Sequence, residues 1–210
     1  MDPLLVAYVT FTFVLVATPG STTAVVVRNT LIGGRPAGLA AAFGAATGNT
    51  THAAAAGLGL AVIFSRWPVL LTGLRVAGAV YLAWLGCRSL YRVVRHADGG
   101  LTMVNDAHAA SDVRAHAGSF RQGLTVNLLN PAIATFYLVV VPSFVPATAP
   151  AGYFATLAAV HVLMALLFHG LWAFGLARIR QALQPPMARR LLEGATGVAL
   201  IALAMRVASR

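Results

Sequence analysis

The sequence predicts an all-α membrane protein of six transmembrane helices, paired as a 3+3 inverted repeat whose first and fourth helices are broken at proline. Three observations predict it. The 210 residues are 59% hydrophobic and 10% charged, with a mean hydropathy of +0.79, whereas a soluble chain is roughly 45–50% apolar and about 25% charged. Charge-free runs recur at spanning length. Pro19 and Pro131 interrupt two of those runs at one depth.

No charged residue lies between Asp2 and Arg28 or between Arg35 and Arg66, and each run outlasts the ~20 helical residues that cross a ~30 Å hydrocarbon core. The first run reads as a mature helix: Asp2 stands where a signal peptide carries positive charge, and a signal's apolar stretch is only about 7–15 residues. A weaker third run, Pro68 to Leu90, contains Arg75. Arg121 to Arg178 encloses no charge, but Pro142, Pro146 and Pro150 mark a turn that splits it into a fourth and a fifth span. Leu191 to Val207 supplies the sixth. Residues 1–92 are then the first three-helix half, 93–119 a cytoplasmic loop and 120–210 the second half, all within one integral membrane domain.

All fifteen basic residues are arginine, and the net charge is +10. Nucleic-acid binding needs a dense basic face on a soluble domain, and these arginines fall mostly at the ends of apolar runs. With sides alternating, Arg28, Arg35, Arg88, Arg92, Arg95, Arg114, Arg121, Arg178, Arg180, Arg189 and Arg190 share one side, leaving Arg66, Arg206 and Arg210 on the other. The positive-inside rule puts the larger set in the cytoplasm and both termini outside. The single Cys87 excludes a disulfide framework, an iron–sulfur cluster and a thiolate zinc site within one chain. His96, Asp98, Asp106, His108, Asp112 and His116 match no compact ligand spacing, so the loop reads as solvated and no metal is expected.

At ~1.5 Å per residue, Pro19 and Pro131 each lie roughly 15 Å from the cytoplasmic edge, near mid-membrane. A proline removes a backbone donor and frees carbonyls of the preceding turn, which lipid tolerates where neighbours repair the gap or a cavity is lined. Three helices followed by three enter from opposite sides, so related halves form an inverted repeat, and transporters of that kind bind substrate where broken helices meet. The candidate substrate site therefore gathers Thr18, Pro19, Gly20 and Ser21 at the first break, with Thr22 and Thr23 beside them, and Asn127, Asn130 and Pro131 at the second. Gly44 and Gly48 form a GxxxG pattern, which brings helices close and offers a homodimer surface. Asn49 and His52 after it, and Arg75 and Tyr81 on the third span, complete the candidate set. His161 and His169, about 80° apart at 100° per residue, are left to structural roles, and Glu193 to an ion pair with Arg189 and Arg190.

In this order the residues resemble the lysine exporter (LysE) superfamily, particularly its threonine/homoserine exporter branch. Thr18-Pro19-Gly20 matches the family's Thr-Pro-Gly-Pro turn, with Ser21 departing at its last position, and Gly44, Gly48 and Asn49 match its second-helix pattern. Arg75, Gly78, Ala79, Tyr81, Leu82, Leu85 and Gly86 match the third-helix signature. Phe120, Arg121, Gly123, Asn130 and Pro131 match the fourth, with Pro142 and Phe144 following, while Ala132 stands where the family has lysine. The resemblance covers essentially the whole chain. It implies a bacterial inner-membrane secondary transporter, not an enzyme, that exports amino acids or close derivatives, driven by the proton gradient, with no cofactor.

On the residues, a substrate carboxylate is expected on the backbone donors of Gly20 to Thr23. The ammonium is expected on freed carbonyls, Asn49, Asn130 or the faces of Tyr81 and Trp84. Two readings stay open beside export of amino acids: efflux of a metal or another small solute, and an accessory or scaffold subunit. An intramembrane hydrolase pairing Ser21 with His52 or His161 has no Gly-x-Ser-x-Gly elbow to support it.

Overall fold

A computed structural model describes residues 3–59, 69–95, 109–150, 152–180 and 186–208, and every regular element among them is helical. Helix α1 (Pro3–Ala17) is almost uniformly apolar, as a lipid-facing helix is. Val6, Val9, Phe13 and Val14 are exposed, while Tyr8 and Thr12, one turn apart, are buried. The Tyr8 hydroxyl donates to the Leu157 carbonyl at 2.7 Å. The helix stops because Pro19 has no N–H with which to continue. Thr18 makes the last bonds, its amide and its hydroxyl donating to the Val14 carbonyl at 3.1 and 2.8 Å.

After an extended Gly20 the chain restarts as α2 (Ser21–Gly57), its axis turned by 49°. This element is two arms, 21–33 and 35–57. Gly34 takes φ 76°, ψ −171°, which a residue with a Cβ rarely adopts, and it folds the chain back on itself. Val26 consequently packs with Ala41 and Ala42, and Thr30 lies against Gly38. The first expected span is thus α1 plus the first arm, and the second expected span is the second arm.

Helix α3 (Val69–Arg95) is followed by α4 (Ala109–Leu128). The latter begins inside the segment expected as a loop, because the alanine-rich stretch from Ala109 to Ala117 propagates helix beyond the apolar region. His96, Asp98, Asp106 and His108 lie outside the described residues, as does the side chain of Asp112. Helix α5 (Pro131–Ser143) leaves α4 at 56° and carries one π turn at Phe136–Val140. Helices α6 (Tyr153–Arg180) and α7 (Pro186–Ala208) complete the chain.

Glycines set the main crossing. A Cβ on Gly44 would fall on the Phe120 carbonyl, and one on Gly123 on the Ala41 carbonyl, so α2 and α4 meet backbone to backbone. Gly48 lies under the Asn127 side chain. The GxxxG surface that the sequence offers to a second copy is therefore occupied by α4 of the same chain. One apolar cluster, Tyr8, Phe136, Tyr137, Val141 and Leu157, joins α1, α5 and α6. A second, Val25, Leu82, Leu85, Val126 and Leu200, joins α2, α3, α4 and α7.

Length and apolarity suffice for Tyr153–Arg178 to cross a membrane alone, and for α1 with α2, and 115–128 with α5, when each bent pair is taken as one span. Helix α6 is sided along its length. Leu163, Leu167 and Leu171 are exposed, and His161, Ala165, His169 and Ala173 are buried at every fourth position on the other face.

Candidate transport site at the junction of two broken helices

The two breaks are tied together by one side chain. Asn130 is extended (φ −88°, ψ 106°) and caps α5, its side-chain oxygen accepting from the Ala132 amide at 3.0 Å, with Pro131 in the first turn. Proline there costs nothing, since its missing N–H has no helical partner. The Asn130 amide nitrogen donates to the Ser21 hydroxyl at 3.2 Å, and Ser21 is the first residue of α2. Two helix N-termini, with their positive dipole ends, are thereby held side by side, and at α2 no side chain caps the first-turn N–H groups.

Between them lies a cavity of about 490 Å³. Thr18, Pro19, Gly20, Ser21, Thr22 and Thr23 line it from the first break, and Asn127, Asn130, Pro131 and Ala132 from the second. Asn49, His161, His169 and Arg206 add polar groups, while Phe11, Leu15, Val16, Ile133, Phe136, Val140, Leu203 and Val207 form an apolar wall. No carboxylate occurs among this described lining.

Hydrogen bonds fix most of the polar wall. The Asn127 amide donates to the Asn49 side-chain oxygen at 2.8 Å, with both residues 1% exposed. The Asn127 side-chain oxygen and the Thr22 hydroxyl are buried without a partner among the described residues. His169 Nε2 lies 3.4 Å from the Thr23 hydroxyl. His161 Nδ1 lies 2.7 Å from the Tyr137 hydroxyl. Nearer the Gly34 turn, Arg28 and Asn29 both donate to the Gln122 side-chain oxygen at 3.2 Å.

Thr18, Pro19, Gly20, Ser21, Asn49, Asn127, Asn130 and Pro131, all singled out in the sequence, surround this one cavity. His52 and Tyr81 stand outside its lining. His52 Nε2 lies 3.2 Å from the Asn127 carbonyl, and its ring is stacked on Tyr137 at 6.5 Å. Tyr81 packs against the second apolar cluster and stacks on Trp84 at 5.7 Å. Arg75 is on α3, and its side chain lies outside the described residues. Among the described residues no three His, Cys, Asp or Glu side chains converge as metal ligands.

The sequence reading set aside His161 and His169, which the fold brings to the cavity. A signal for them exists: His161, Ala165, His169 and Ala173 recur every four residues opposite Leu163, Leu167 and Leu171, a small and polar stripe in a helix otherwise fit for lipid. Arg206 was placed by topology alone, yet it lines the same cavity.

The LysE type translocator family matches this chain over residues 13–210. The chain belongs to that family. It is 33% identical over 141 residues to the membrane protein YrhP of Bacillus subtilis, covering 67% of each chain. It is 31% identical over 137 residues to leucine efflux proteins of Klebsiella pneumoniae, covering 64% of this chain, and of Salmonella typhimurium, covering 65%. The match spans 60% of the length of those leucine efflux proteins. No solved structure matches. As a LysE translocator the chain is a membrane transport protein, with a small-molecule substrate and a lipid environment.

Proposed function

We propose that this translocator exports small apolar amino acids, leucine first among them, across the bacterial inner membrane in exchange for protons. The observation that carries the reading is the cavity at the two breaks. Its about 490 Å³ falls within the ~300–1,000 Å³ of small-molecule sites, and one wall is polar while the other is aliphatic and aromatic. A zwitterion with a branched apolar side chain needs that division. The carboxylate sits on the first-turn N–H groups of Ser21, Thr22 and Thr23, where the α2 dipole favours negative charge. The ammonium faces carbonyls freed around Pro19, with Asn49 and Asn130 beside them. The side chain lies against Phe11, Leu15, Phe136 and Val140.

The relatives named leucine efflux proteins support the substrate class. Six spans in a 3+3 inverted repeat, both termini outside, is the architecture we propose. It is supported by the paired breaks, by the fold-back at Gly34 and by the arginine distribution. Domain boundaries follow that repeat, with 1–92 and 120–210 as the two halves.

The test is mass spectrometry of the medium from cells expressing this chain, beside cells expressing Pro19→Ala at equal membrane abundance. Leucine or its close relatives accumulate only with the unaltered chain. Matching profiles across all amino acids would sink the reading.

A further inference from the structure

We propose that His161 carries the exchanged proton, an inference that rests on the amino acid–proton exchange proposed above. Such exchange needs a cavity group that holds a proton in one state and releases it in the other. The ionisable side chains in the described lining are His161, His169 and Arg206. A guanidinium stays protonated throughout, whereas an imidazole is the side chain whose charge ordinarily changes between about pH 5 and 8.

Geometry separates the two histidines. Each points one ring nitrogen at a hydroxyl, and that contact of His169, Nε2 to Thr23, is long at 3.4 Å. His161 is anchored by the opposite nitrogen: Nδ1 is 2.7 Å from the Tyr137 hydroxyl, and the ring is packed on Phe136 at 4.4 Å. No hydrogen bond to its Nε2 occurs among the described residues, and the residue lines the cavity. The groups around the ring are Tyr137 on the π turn, His52 of α2 stacked on Tyr137, Tyr8 of α1 in the same apolar cluster, Arg206 of α7 at the cavity, and His169 on α6 itself. None of these is a carboxylate.

The step is one protonation and its reverse. Nε2 takes a proton from water in the cavity while Nδ1–H donates to the Tyr137 oxygen, and the imidazolium later returns that proton to water on the cytoplasmic side. No bond other than N–H forms or breaks. In the charged state the imidazolium adds a second positive charge, beside Arg206, to a described lining without a carboxylate, which disfavours a substrate ammonium there. Proton and amino acid therefore occupy the cavity in turn, one moving inward as the other moves outward.

The test uses the full chain purified into liposomes, with radiolabelled leucine as the probe. Counterflow at equal pH reads substrate exchange alone, and accumulation driven by an acid interior reads proton coupling. His161→Gln keeps a hydrogen-bonding partner for Tyr137 but cannot titrate. Its counterflow is expected within about fivefold of the unaltered protein, with acid-driven accumulation down by roughly tenfold or more. Tyr137→Phe leaves the imidazole able to titrate, so accumulation persists with a displaced pH profile.

Accumulation by His161→Gln at the unaltered level overturns the proposal. Loss of counterflow and accumulation together also overturns it, since His161 is then holding substrate or structure. An unaltered protein that exchanges leucine without proton-driven accumulation overturns it and leaves the amino-acid reading standing. Absence of counterflow with every amino acid removes that reading, and this one with it.

Discussion

Asn130 makes two bonds that no other residue at the junction duplicates, and each can be removed separately. Asn130→Ala deletes the α5 cap on the Ala132 amide and the bond to the Ser21 hydroxyl. Loss of an N-cap costs about 1 kcal/mol, and a hydrogen bond between membrane helices averages about 0.6 kcal/mol. The sum, about 1.6 kcal/mol, lowers the thermal midpoint in detergent by roughly 3–6 °C for a chain of this size. Ser21→Ala removes only the second bond and costs about 0.6 kcal/mol. The double variant then costs no more than Asn130→Ala alone, leaving a coupling of about 0.6 kcal/mol in the cycle.

Transport responds more steeply than stability, because the α5 N-terminus is released from its place beside α2. We expect leucine counterflow by Asn130→Ala to drop by about tenfold or more while membrane insertion is kept. Unaltered counterflow together with a midpoint within about 1 °C of the parent would refute the account of the junction.

Other outcomes follow from the same geometry. Gly123→Ala sets a Cβ on the Ala41 carbonyl and destabilises the protein by about 1–3 kcal/mol, read as a lowered midpoint. Gly118→Ala, where a Cβ meets nothing within 4 Å, is neutral or stabilising, so equal effects of the two would contradict the backbone crossing. Tyr8→Phe removes the 2.7 Å bond to the Leu157 carbonyl and costs about 1 kcal/mol in the same assay. Ser209→Cys in a Cys87→Ser background is labelled by an impermeant maleimide on intact spheroplasts if the C-terminus is outside; labelling only after lysis reverses the orientation.

Much of the junction was legible because proline and asparagine act locally. Pro19 removes a backbone donor and crowds the preceding turn whatever surrounds it, and Asn130 before Pro131 is a cap followed by a first-turn proline, so both breaks could be read from neighbouring residues alone. The fold-back at Gly34 was legible only as a polar gap, Arg35 and Pro36, between apolar runs. Its helical continuity on both sides was not. The place of His161 and His169 at the cavity was not legible, because a histidine in an apolar run is equally compatible with packing and with a cavity. Their four-residue repeat faces inward only once α6 is oriented by its exposed leucines. Tyr81 and His52 show the converse: sharing a span with candidate residues does not bring a side chain to the cavity, and rotation about the helix axis turned both away.

The glycine-mediated crossing bears on which parts can move. Where carbonyls of one helix rest on glycines of the next, sliding has no soft side-chain layer to yield, so α2 and α4 travel together, with α6 packed along α2. Helices α3 and α7 pack mainly on each other, yet Gly78 of α3 rests on the Leu129 carbonyl at the second break, and Leu82, Leu85 and Leu200 share a core with Val25 and Val126. Leu203, Arg206 and Val207 of α7 close one side of the cavity. Any displacement of the α3–α7 pair therefore pulls on the second break through Gly78, with Arg206 carried along at the cavity edge.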